Sequence, residues 1–468
     1  AGQVPTSLIG NDAFQESDMM GITLPITKHN YQIRDPNKIR ATIKNAFKVA
    51  IEGRPGPVYI DLPKDVQAAE ITREVKEIPM QGFKPVFSGH PRQIKLAAEM
   101  ILKAEMPVLV AGGGAIISNA SPEIQKLAQM LNIPVATTFM GKSSFPETHP
   151  LSLGMIGMHG RKSANYAISN ADLLIVVGCR FSDRVTGNVE TFAEKAKIIH
   201  IDIDSAEIGK NVAVELPIVG DAKNVLSQLI AAIGKAPKKG TAWAEKMGKF
   251  VKECSCSIDV KTTPIDPRKL IFELQNVLKD QDIVVTGTGQ QQMFAAHFIK
   301  RANPRTFISS GGAGTMGFGL PASLGAKVAR PEVEVFNFDG DGSFAMTQQE
   351  LATLKVENIK TTSIIMNNAY LGMVRQWAEL FFDRRYSSVY LSRVPDFAKI
   401  AEAHGLKGMR VEKPGEIAPA LREAVKSDEA VVLDVIVKEE ANILPMFSAG
   451  GNVTDMFGGC IKIKGEFF

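Results

Sequence analysis

Two short polar motifs in the C-terminal third of the sequence could hold a metal ion together. Gly340-Asp341-Gly342-Ser343 and Asn367-Asn368 each follow an apolar segment, and Asp341 and Asn368 are 27 positions apart. The carboxylate of Asp341, the amide oxygen of Asn368 and the main-chain carbonyl of Tyr370 are hard oxygen ligands of the kind that Mg²⁺ prefers, and they leave positions for diphosphate oxygens and water. Gly342 lets the backbone approach closely, and Ser343 with the following helix N-terminus offers N–H groups to an anion.

The elements around these motifs are expected to place them at one edge of a parallel sheet. Residues 333–338 and 362–366 are predicted strands, and residues 347–357 between them are predicted to form a helix. Such a crossover returns the chain to the same edge, so Asp341 and Asn368 should project from neighbouring strand ends. Either motif alone is also a common turn sequence. The two together, at this spacing and after two buried strands, favour the metal site.

The sequence as a whole alternates short β-branched segments with longer amphipathic ones, which is typical of parallel α/β domains. Its 468 residues predict three doubly wound parallel-sheet domains, over residues 1–80, 81–240 and 241–468. A Pro-rich, aperiodic stretch at residues 78–91 and a Gly/Pro/Lys-rich link at residues 235–239 mark the expected boundaries. The first domain is expected to be incomplete.

Composition argues against several other classes of protein. The net charge of +4 is spread along the sequence without a cluster of Lys and Arg, so nucleic acid is not expected as a partner. No apolar run approaches the roughly 18 residues needed to span a bilayer, and the first residues do not form a signal peptide. The sequence therefore predicts a cytoplasmic protein with reduced thiols, although a targeting peptide on a longer parent is left open. The four scattered cysteines are Cys179, Cys254, Cys256 and Cys460.

The metal motif resembles that of the thiamine-diphosphate enzymes, and three further segments share the resemblance. Residues 288–293 look like a loop that contacts the diphosphate, although Gln291 stands where the family often has His. Residues 312–322 resemble the loop around the aminopyrimidine ring, and residues 371–377 resemble the active-site segment of the acetohydroxyacid (acetolactate) synthases. The resemblance implies that thiamine diphosphate is bound by Gly289, Gln290, Gln291, Gly314, Thr315, Met316, Gly340, Asp341, Gly342, Ser343, Asn368, Tyr370, Gly372, Met373 and Val374, with Mg²⁺ on Asp341, Asn368 and Tyr370.

The same resemblance assigns roles in the reaction to a few side chains. Met316 would hold the bound cofactor in a bent conformation, and Trp377 would accommodate 2-ketobutyrate as acceptor. Gln15 and Lys64, together with Met373, would line the substrate channel. A single Met or Trp is more often an ordinary core residue. The glycines around Met316 and the motif around Trp377 favour the functional interpretation.

A second set of motifs lies in the predicted central domain. Residues 180–187, Arg-Phe-Ser-Asp-Arg-Val-Thr-Gly, follow a predicted strand and resemble the FAD-containing biosynthetic branch of the family, in which FAD is structural rather than redox-active. The glycine triplet at residues 112–114 is a weaker indication of the same kind. The resemblance implies FAD contacts at Arg54, Gly112, Gly113, Gly114, Met158, His159, Gly178, Arg180, Arg184, Asp202, Ile203, Asp221, Ala222 and Gln292.

The resemblance covers the whole chain and implies a carboligase. Pyruvate would be decarboxylated on thiamine diphosphate, and the two-carbon fragment would be ligated to pyruvate or 2-ketobutyrate in the first common step of branched-chain amino acid biosynthesis. A homodimer or tetramer and a small regulatory subunit are implied as well. The alternatives are a pyruvate oxidase, a glyoxylate carboligase or a 2-ketoacid decarboxylase, and a non-catalytic cofactor-binding protein. The segment at residues 180–187 and Gln376-Trp377 favour the synthase.

The glutamate that activates the aminopyrimidine in this family lies in an N-terminal segment that no part of the sequence matches. Glu16 follows a different motif, so it is not a substitute. The chain is therefore expected to be N-terminally truncated, to fold poorly in its first domain and to be inactive by itself.

Overall fold

Three parallel sheets follow one another along the chain in this computed structural model, which describes residues 1–73, 75–80, 82–235, 241–254, 258–391 and 395–458. The predicted fold class, three parallel-sheet α/β domains, is confirmed, and the structure shows that the first sheet is small. The domain boundaries stay a prediction. Residues 236–239 of the expected link, Cys256 and Cys460 lie outside the described residues.

The first sheet is small and has the order β1-β3-β2, with β3 in the middle. Its strands are β1 (Gly2–Gln3), β2 (His29–Gln32) and β3 (Val58–Pro63). The helices of this part are α1 (Met19–Thr23), α2 (Ile39–Ile51) and α3 (Lys64–Ala68). Several of its large apolar side chains, including Phe14, Ile26 and Phe47, are exposed, so this part buries little apolar surface.

The central sheet has the order β6-β5-β4-β7-β8-β9. Its strands are β4 (Pro107–Ala111), β5 (Val135–Thr137), β6 (Ser152–Met155), β7 (Leu173–Val177), β8 (Lys197–Asp202) and β9 (Leu216–Val219). Helices of this part are α4 (Pro91–Lys103), α5 (Gly113–Ile117), α6 (Ser121–Leu131), α7 (Lys162–Asn170), α8 (Asp183–Thr186), α9 (Ala222–Ile233) and α10 (Thr241–Glu253). The strand order reverses between β4 and β7, and a crevice is expected at the carboxyl ends of these two strands.

The third sheet has the order β11-β10-β12-β13-β15-β14. Its strands are β10 (Ile283–Thr286), β11 (Phe307–Ser309), β12 (Val335–Gly340), β13 (Thr362–Asn367), β14 (Lys407–Val411) and β15 (Val431–Ile436). Helices of this part are α11 (Pro267–Val277), α12 (Gln290–Phe298), α13 (Gly319–Ala329), α14 (Asp341–Ala345), α15 (Leu351–Val356), α16 (Gly372–Phe381), α17 (Phe397–Ala403) and α18 (Ile417–Lys426). Here the order reverses between β10 and β12.

The helix predicted over residues 347–357 is shorter than expected, because the first part of this segment is a 3₁₀ turn that leads into α15. Buried apolar residues cover both faces of the central and third sheets, which is why their inner strands are almost wholly apolar. The 3₁₀ helices are Thr6–Leu8, Leu24–Ile26, Pro36–Lys38, Phe139–Gly141, Val189–Thr191, Gln348–Glu350 and Pro414–Glu416.

Candidate active site

A single cavity of about 930 Å³ is lined by residues that follow the carboxyl ends of strands in both large sheets. In the central sheet these are the ends of β4 to β9, and in the third sheet those of β10, β11, β12 and β13. Arg54 of the first part also lines the cavity. The position agrees with the rule that doubly wound sheets bind ligands where their strand order reverses.

The two motifs of the expected metal site lie on neighbouring strands. β12 and β13 pair in parallel with Gly340 opposite Met366, so Asp341 and Asn368 follow adjacent strand ends as predicted. Asp341 begins α14, and its Oδ1 accepts a hydrogen bond of 2.7 Å from the Gly342 N–H. The second carboxylate oxygen, Oδ2, is buried without a partner.

Burial raises the pKa of Asp341 to about 7, although backbone N–H groups of Gly342, Ala369 and Asn368 oppose this rise. A buried carboxylate with one unpaired oxygen is costly unless a cation neutralises it. The residues present therefore fit a bound divalent cation. No cluster of three or more His, Cys, Asp or Glu that could hold a metal occurs within the described residues, so a cation here would depend on amide, carbonyl and substrate oxygens as well.

Asn368 lies behind the cavity wall and is held by two polar contacts. Its Oδ1 accepts a hydrogen bond of 3.2 Å from the Tyr370 N–H, and its Nδ2 donates one of 3.3 Å to Oε1 of Gln290. Gln290 is buried as well and faces Asn368 rather than the cavity. The fixed amide can present its oxygen in one direction only.

Polar groups without partners also occur at the position expected for a diphosphate. Gln291 packs against Gly289 and Gly340, where a Cβ on either glycine would lie 2.6 to 2.7 Å from its Oε1. Nε2 of Gln291 and Oγ1 of Thr288 are buried and unpaired. These donors fit an anion between the ends of β10 and β12. The Ser343 hydroxyl instead accepts a hydrogen bond of 3.0 Å from the Gly317 N–H, which ties the glycine-rich loop to α14.

Met316, Arg184 and Trp377 all line the cavity. The terminal methyl group of Met316 packs near Gly342. The guanidinium of Arg184 lies 5.8 Å from the ring centroid of Trp377, close enough for a cation–π contact. Trp377 also packs on Phe381, with ring centroids 5.2 Å apart. This corner joins the central domain to α16.

The central half of the cavity is shaped by close backbone contacts. A Cβ on Gly112 would collide with the carbonyl oxygen of Gly178, and the Gly114 N–H donates a hydrogen bond of 3.0 Å to that same oxygen. His159 lies on the wall with its Nε2 buried and unpaired, and burial lowers the pKa of its imidazole to about 4, with a contribution from Arg184. Arg54 donates to Glu207 over 2.7 Å and to Asp204 over 3.1 Å.

Most of the predicted cofactor contacts line this one cavity. Those predicted for thiamine diphosphate are Gly289, Gln291, Gly314, Met316, Gly340, Asp341, Gly342, Ser343, Tyr370, Gly372, Met373 and Val374, with Trp377 beside them. Those predicted for FAD are Arg54, Gly113, Gly114, Met158, His159, Gly178, Arg180, Arg184, Asp202, Ile203, Asp221, Ala222 and Gln292.

Several predicted residues lie outside this lining. Gln290, Asn368 and Gly112 stand directly behind it, and Thr315 lies in the loop before α13. Gln15 and Lys64 are exposed on the first part of the chain, and the structure does not bring them to the cavity. Their role in a substrate channel stays a prediction.

Sequence reasoning missed the wall that follows β5. Thr138, Phe139 and Met140 line the cavity beside the Gly311 region, and Met140 packs directly on Gly311. The available signal was positional, because these residues follow the carboxyl end of a strand next to β4.

Comparisons with known proteins agree with this geometry. Residues 94–229 match the thiamine pyrophosphate enzyme central domain, and residues 287–435 match the thiamine pyrophosphate enzyme C-terminal TPP binding domain. The chain is 52% identical over 466 residues to a probable acetolactate synthase large subunit of Methanocaldococcus jannaschii, which covers 97% of this chain and 79% of the relative. The chain belongs to the acetolactate synthase large-subunit family.

Two bacterial members of the acetolactate synthase family extend the comparison. The large subunit of Corynebacterium glutamicum is 46% identical over 466 residues, or 97% of this chain and 74% of the relative. The large subunit of Haemophilus influenzae is 40% identical over 464 residues, which cover 97% of this chain and 81% of the relative. Within the described residues, none of the helices is long and apolar enough to cross a membrane.

Proposed function

We propose that the protein is an acetolactate synthase. In the proposed reaction, the bond between the carboxylate carbon and the carbonyl carbon of one pyruvate breaks, and CO2 leaves. A new carbon–carbon bond then joins the remaining two-carbon fragment to the carbonyl carbon of a second 2-ketoacid, whose carbonyl oxygen takes up a proton from solvent and becomes a hydroxyl group. With pyruvate as acceptor the product is 2-acetolactate, and with 2-ketobutyrate it is 2-aceto-2-hydroxybutyrate. The observation that carries this proposal is the similarity to an acetolactate synthase large subunit over 97% of this chain, in which Asp341 and Asn368 follow adjacent strand ends.

The proposed cation and diphosphate site consists of groups already oriented by the fold. Asp341 and Asn368, with the carbonyl of Tyr370, would hold Mg²⁺. The free Nε2 of Gln291 would donate to the diphosphate. When bound, thiamine diphosphate supplies the carbanion stabilisation that decarboxylation of a 2-ketoacid requires. Met316 would press on the cofactor from the glycine-rich loop and limit its conformations.

The corner formed by Arg184 and Trp377 is the proposed acceptor region. The arginine can attract the carboxylate of a 2-ketoacid, and the indole offers an apolar surface for its alkyl group. A larger indole contact with the ethyl group than with the methyl group would favour 2-ketobutyrate. We expect Trp377→Leu to lower the proportion of 2-aceto-2-hydroxybutyrate when pyruvate and 2-ketobutyrate compete, because one methylene in an apolar pocket changes binding by about 1–3 kcal/mol.

The central half of the cavity is the proposed FAD site. Its close-packed glycines leave room for a bound group along the ends of β4 and β7, and the buried, unpaired Nε2 of His159 is a polar atom that such a group can satisfy. FAD would have a structural role here. The protein would act as a homodimer or tetramer in the cytoplasm, with a small regulatory subunit.

The deciding experiment is acetolactate formation from pyruvate in the presence of thiamine diphosphate, Mg²⁺ and FAD. Product formation that requires thiamine diphosphate and Mg²⁺, while the flavin spectrum stays oxidised, is the expected result. Bleaching of the flavin by pyruvate would instead favour a pyruvate oxidase. Cofactor binding without any product would favour a non-catalytic cofactor-binding protein.

A further inference from the structure

Three buried side-chain amides form a continuous hydrogen-bonded line behind the proposed metal site. Asn368, Gln290 and Gln376, which we call the amide relay, are exposed by only 4%, 2% and 0%. Nδ2 of Asn368 donates to Oε1 of Gln290 over 3.3 Å, and Nε2 of Gln290 donates to Oε1 of Gln376 over 2.8 Å. Asn368 follows β13, Gln290 begins α12 and Gln376 lies on α16, so the relay connects three separate elements.

The backbone at Ile443 determines which way the amide of Gln376 faces. The Ile443 N–H donates to Oε1 of Gln376 over 2.9 Å, and Nε2 of Gln376 donates to the Ile443 carbonyl over 3.0 Å. Rotating this amide by half a turn would place N–H against N–H and oxygen against oxygen. Since a backbone donor and a backbone acceptor cannot exchange roles, Oε1 of Gln376 is fixed toward Gln290.

Gln290 passes the same polarity to Asn368. Its Nε2 donates to the Ala441 carbonyl over 2.6 Å as well as to Gln376, so its Oε1 must point the other way. That oxygen can only accept, and it therefore faces the Nδ2 of Asn368. The Oδ1 of Asn368 is left on the side of the Tyr370 N–H, away from Gln290.

We propose that Gln290 and Gln376 are positioning residues, which hold the amide of Asn368 with its oxygen toward the cation. This inference rests on the metal site proposed above. An Asn amide offers a cation either a ligand oxygen or a repelling NH₂ group, depending on a rotation of half a turn. The relay removes that choice before the cation binds.

Two neighbouring residues, Gly372 and Arg375, hold the amide relay in place. A Cβ on Gly372 would lie 2.6 Å from Oε1 of Gln290 and 2.8 Å from Nδ2 of Asn368, so the start of α16 packs directly over their contact. Arg375, which is fully buried, donates to the Ala441 carbonyl over 3.1 Å and also contacts Asn442 and Glu379. The backbone that orients the relay is thus bound to the same helix that carries Gln376.

The position of Gln376 also connects the metal site to the acceptor region. Gln376 and Trp377 are consecutive residues of α16, with one on the relay and the other on the cavity wall. A shift of α16 would therefore move the acceptor surface and the relay together. Residues that orient a metal ligand through hydrogen bonds, as Gln290 and Gln376 would, typically raise metal affinity by a factor of about 10 to 100.

The test is equilibrium binding of Mn²⁺ to the full chain with saturating thiamine diphosphate, followed by the electron paramagnetic resonance signal of free Mn²⁺. Gln290→Met removes the acceptor for Asn368 at nearly constant side-chain length, and we expect the dissociation constant of Mn²⁺ to rise by about 10-fold. Gln376→Met should have a smaller effect, because the Ala441 carbonyl still orients Gln290. Gln228→Met is the matched control and should leave Mn²⁺ binding unchanged. Gln228 exchanges two hydrogen bonds with the backbone of Gly89 in the central domain, far from the relay.

A second variant separates orientation from general damage to the fold. A carboxylate is ordinarily at least as good a ligand for Mn²⁺ as an amide. In Asn368→Asp, however, one carboxylate oxygen faces Oε1 of Gln290 and is repelled by it, so we expect weaker Mn²⁺ binding. The loss of Mn²⁺ affinity should be smaller in the double variant that also carries Gln290→Met.

The proposed positioning role is wrong if folded Gln290→Met binds Mn²⁺ as tightly as the unsubstituted protein. It is equally wrong if Asn368→Asp binds Mn²⁺ with undiminished affinity, and this variant decides alone should Gln290→Met not fold. Because the readout is metal binding, it is independent of acetolactate formation. If the variants show the expected Mn²⁺ affinities but the unsubstituted protein makes no acetolactate, the proposed function is contradicted and the positioning role of Gln290 and Gln376 is not.

Discussion

The two halves of the cavity are constructed in different ways. At the metal end, formed by Asp341, Asn368 and Tyr370, the side chains of Asp341 and Asn368 are buried, and hydrogen bonds with Gly342, Gln290 and Tyr370 set their directions. At the central-domain end, formed by residues 112–114 and Gly178, the wall is shaped by backbone packed on backbone. Oriented polar groups therefore dominate at one end of the cavity, and close backbone packing dominates at the other.

The proposed ligands explain this difference. A small divalent cation demands a few oxygens in near-ideal directions, and an oxygen replaced by an NH₂ group repels it. A large organic group such as FAD is bound over an extended surface, where many small contacts add up and no single direction decides. Removing an oriented polar side chain at the metal end should therefore affect ligand binding and reaction. Adding a side chain to a close-packed glycine at the central-domain end should affect folding as well.

The largest effect is expected from removal of the metal-end carboxylate. Asp341→Ala should lower the rate of Mg²⁺-dependent acetolactate formation by at least about 100-fold, because the charge that neutralises the cation is lost. Without cofactors the variant should be at least as stable as the unsubstituted protein, since burial of Asp341 without a cation is unfavourable.

Initial rates and urea denaturation would measure these two expectations. Asp428→Ala, at an exposed carboxylate, is the control and should change neither quantity. If Asp341→Ala retained the rate, the metal end would not hold the cation.

A smaller effect is expected at the central-domain end. In Gly112→Ala the new Cβ would collide with the carbonyl oxygen of Gly178 and lie 2.8 Å from Cα of Cys179. Both neighbours are backbone, so we expect the free energy of unfolding to fall by about 1–3 kcal/mol. FAD retention should fall with it.

The matched control for this substitution is Gly248→Ala. Gly248 lies in α10 with no atom within 4 Å of the added Cβ, so this change should be neutral or stabilising by up to about 1 kcal/mol. Equal stability of the two variants in urea denaturation would show that the contact between the ends of β4 and β7 is not tight.

The smallest effect concerns the contact that joins the two halves through buried histidines. Nδ1 of His297 on α12 lies 3.2 Å from the carbonyl oxygen of His159, and burial lowers the pKa of His297 to about 3, with Arg161 adding to the effect. The pKa in the unfolded chain is about 6.5, so the unfolded state binds the proton first as the pH falls. The stability that the protein gains from keeping His297 neutral is therefore fully present above about pH 6.5, and it is lost as the pH falls below this value.

Each such histidine should reduce stability by up to about 1.4 kcal/mol per pH unit below pH 6.5. In His297→Gln the amide can still donate to the His159 carbonyl but does not titrate. Urea denaturation between pH 8 and pH 5 should therefore show a shallower loss of stability in the variant. An identical slope would mean that His297 does not carry this acid sensitivity.

The strands differ in how clearly their sequences show them. β12 and β13, which match the predicted strands at residues 333–338 and 362–366, are inner strands of the third sheet, whereas β14 lies at its edge. Inner strands are apolar on both faces and stand out in a sequence. Edge strands such as β14, with Lys407 and Arg410, carry polar residues and are closely similar to loops.

The sequence by itself determined the chemistry of the site and the strand ends on which it sits, because these follow from residue type, spacing and the alternation of apolar segments. Asp341 and Asn368 lie on adjacent strand ends as their spacing predicts. Tertiary structure alone decided that Gln290 faces Asn368 rather than the cavity, since that choice depends on the Ala441 carbonyl, 151 positions away. A side-chain amide looks the same in a sequence whichever way it faces. Its direction is determined by the donors and acceptors that folding places around it.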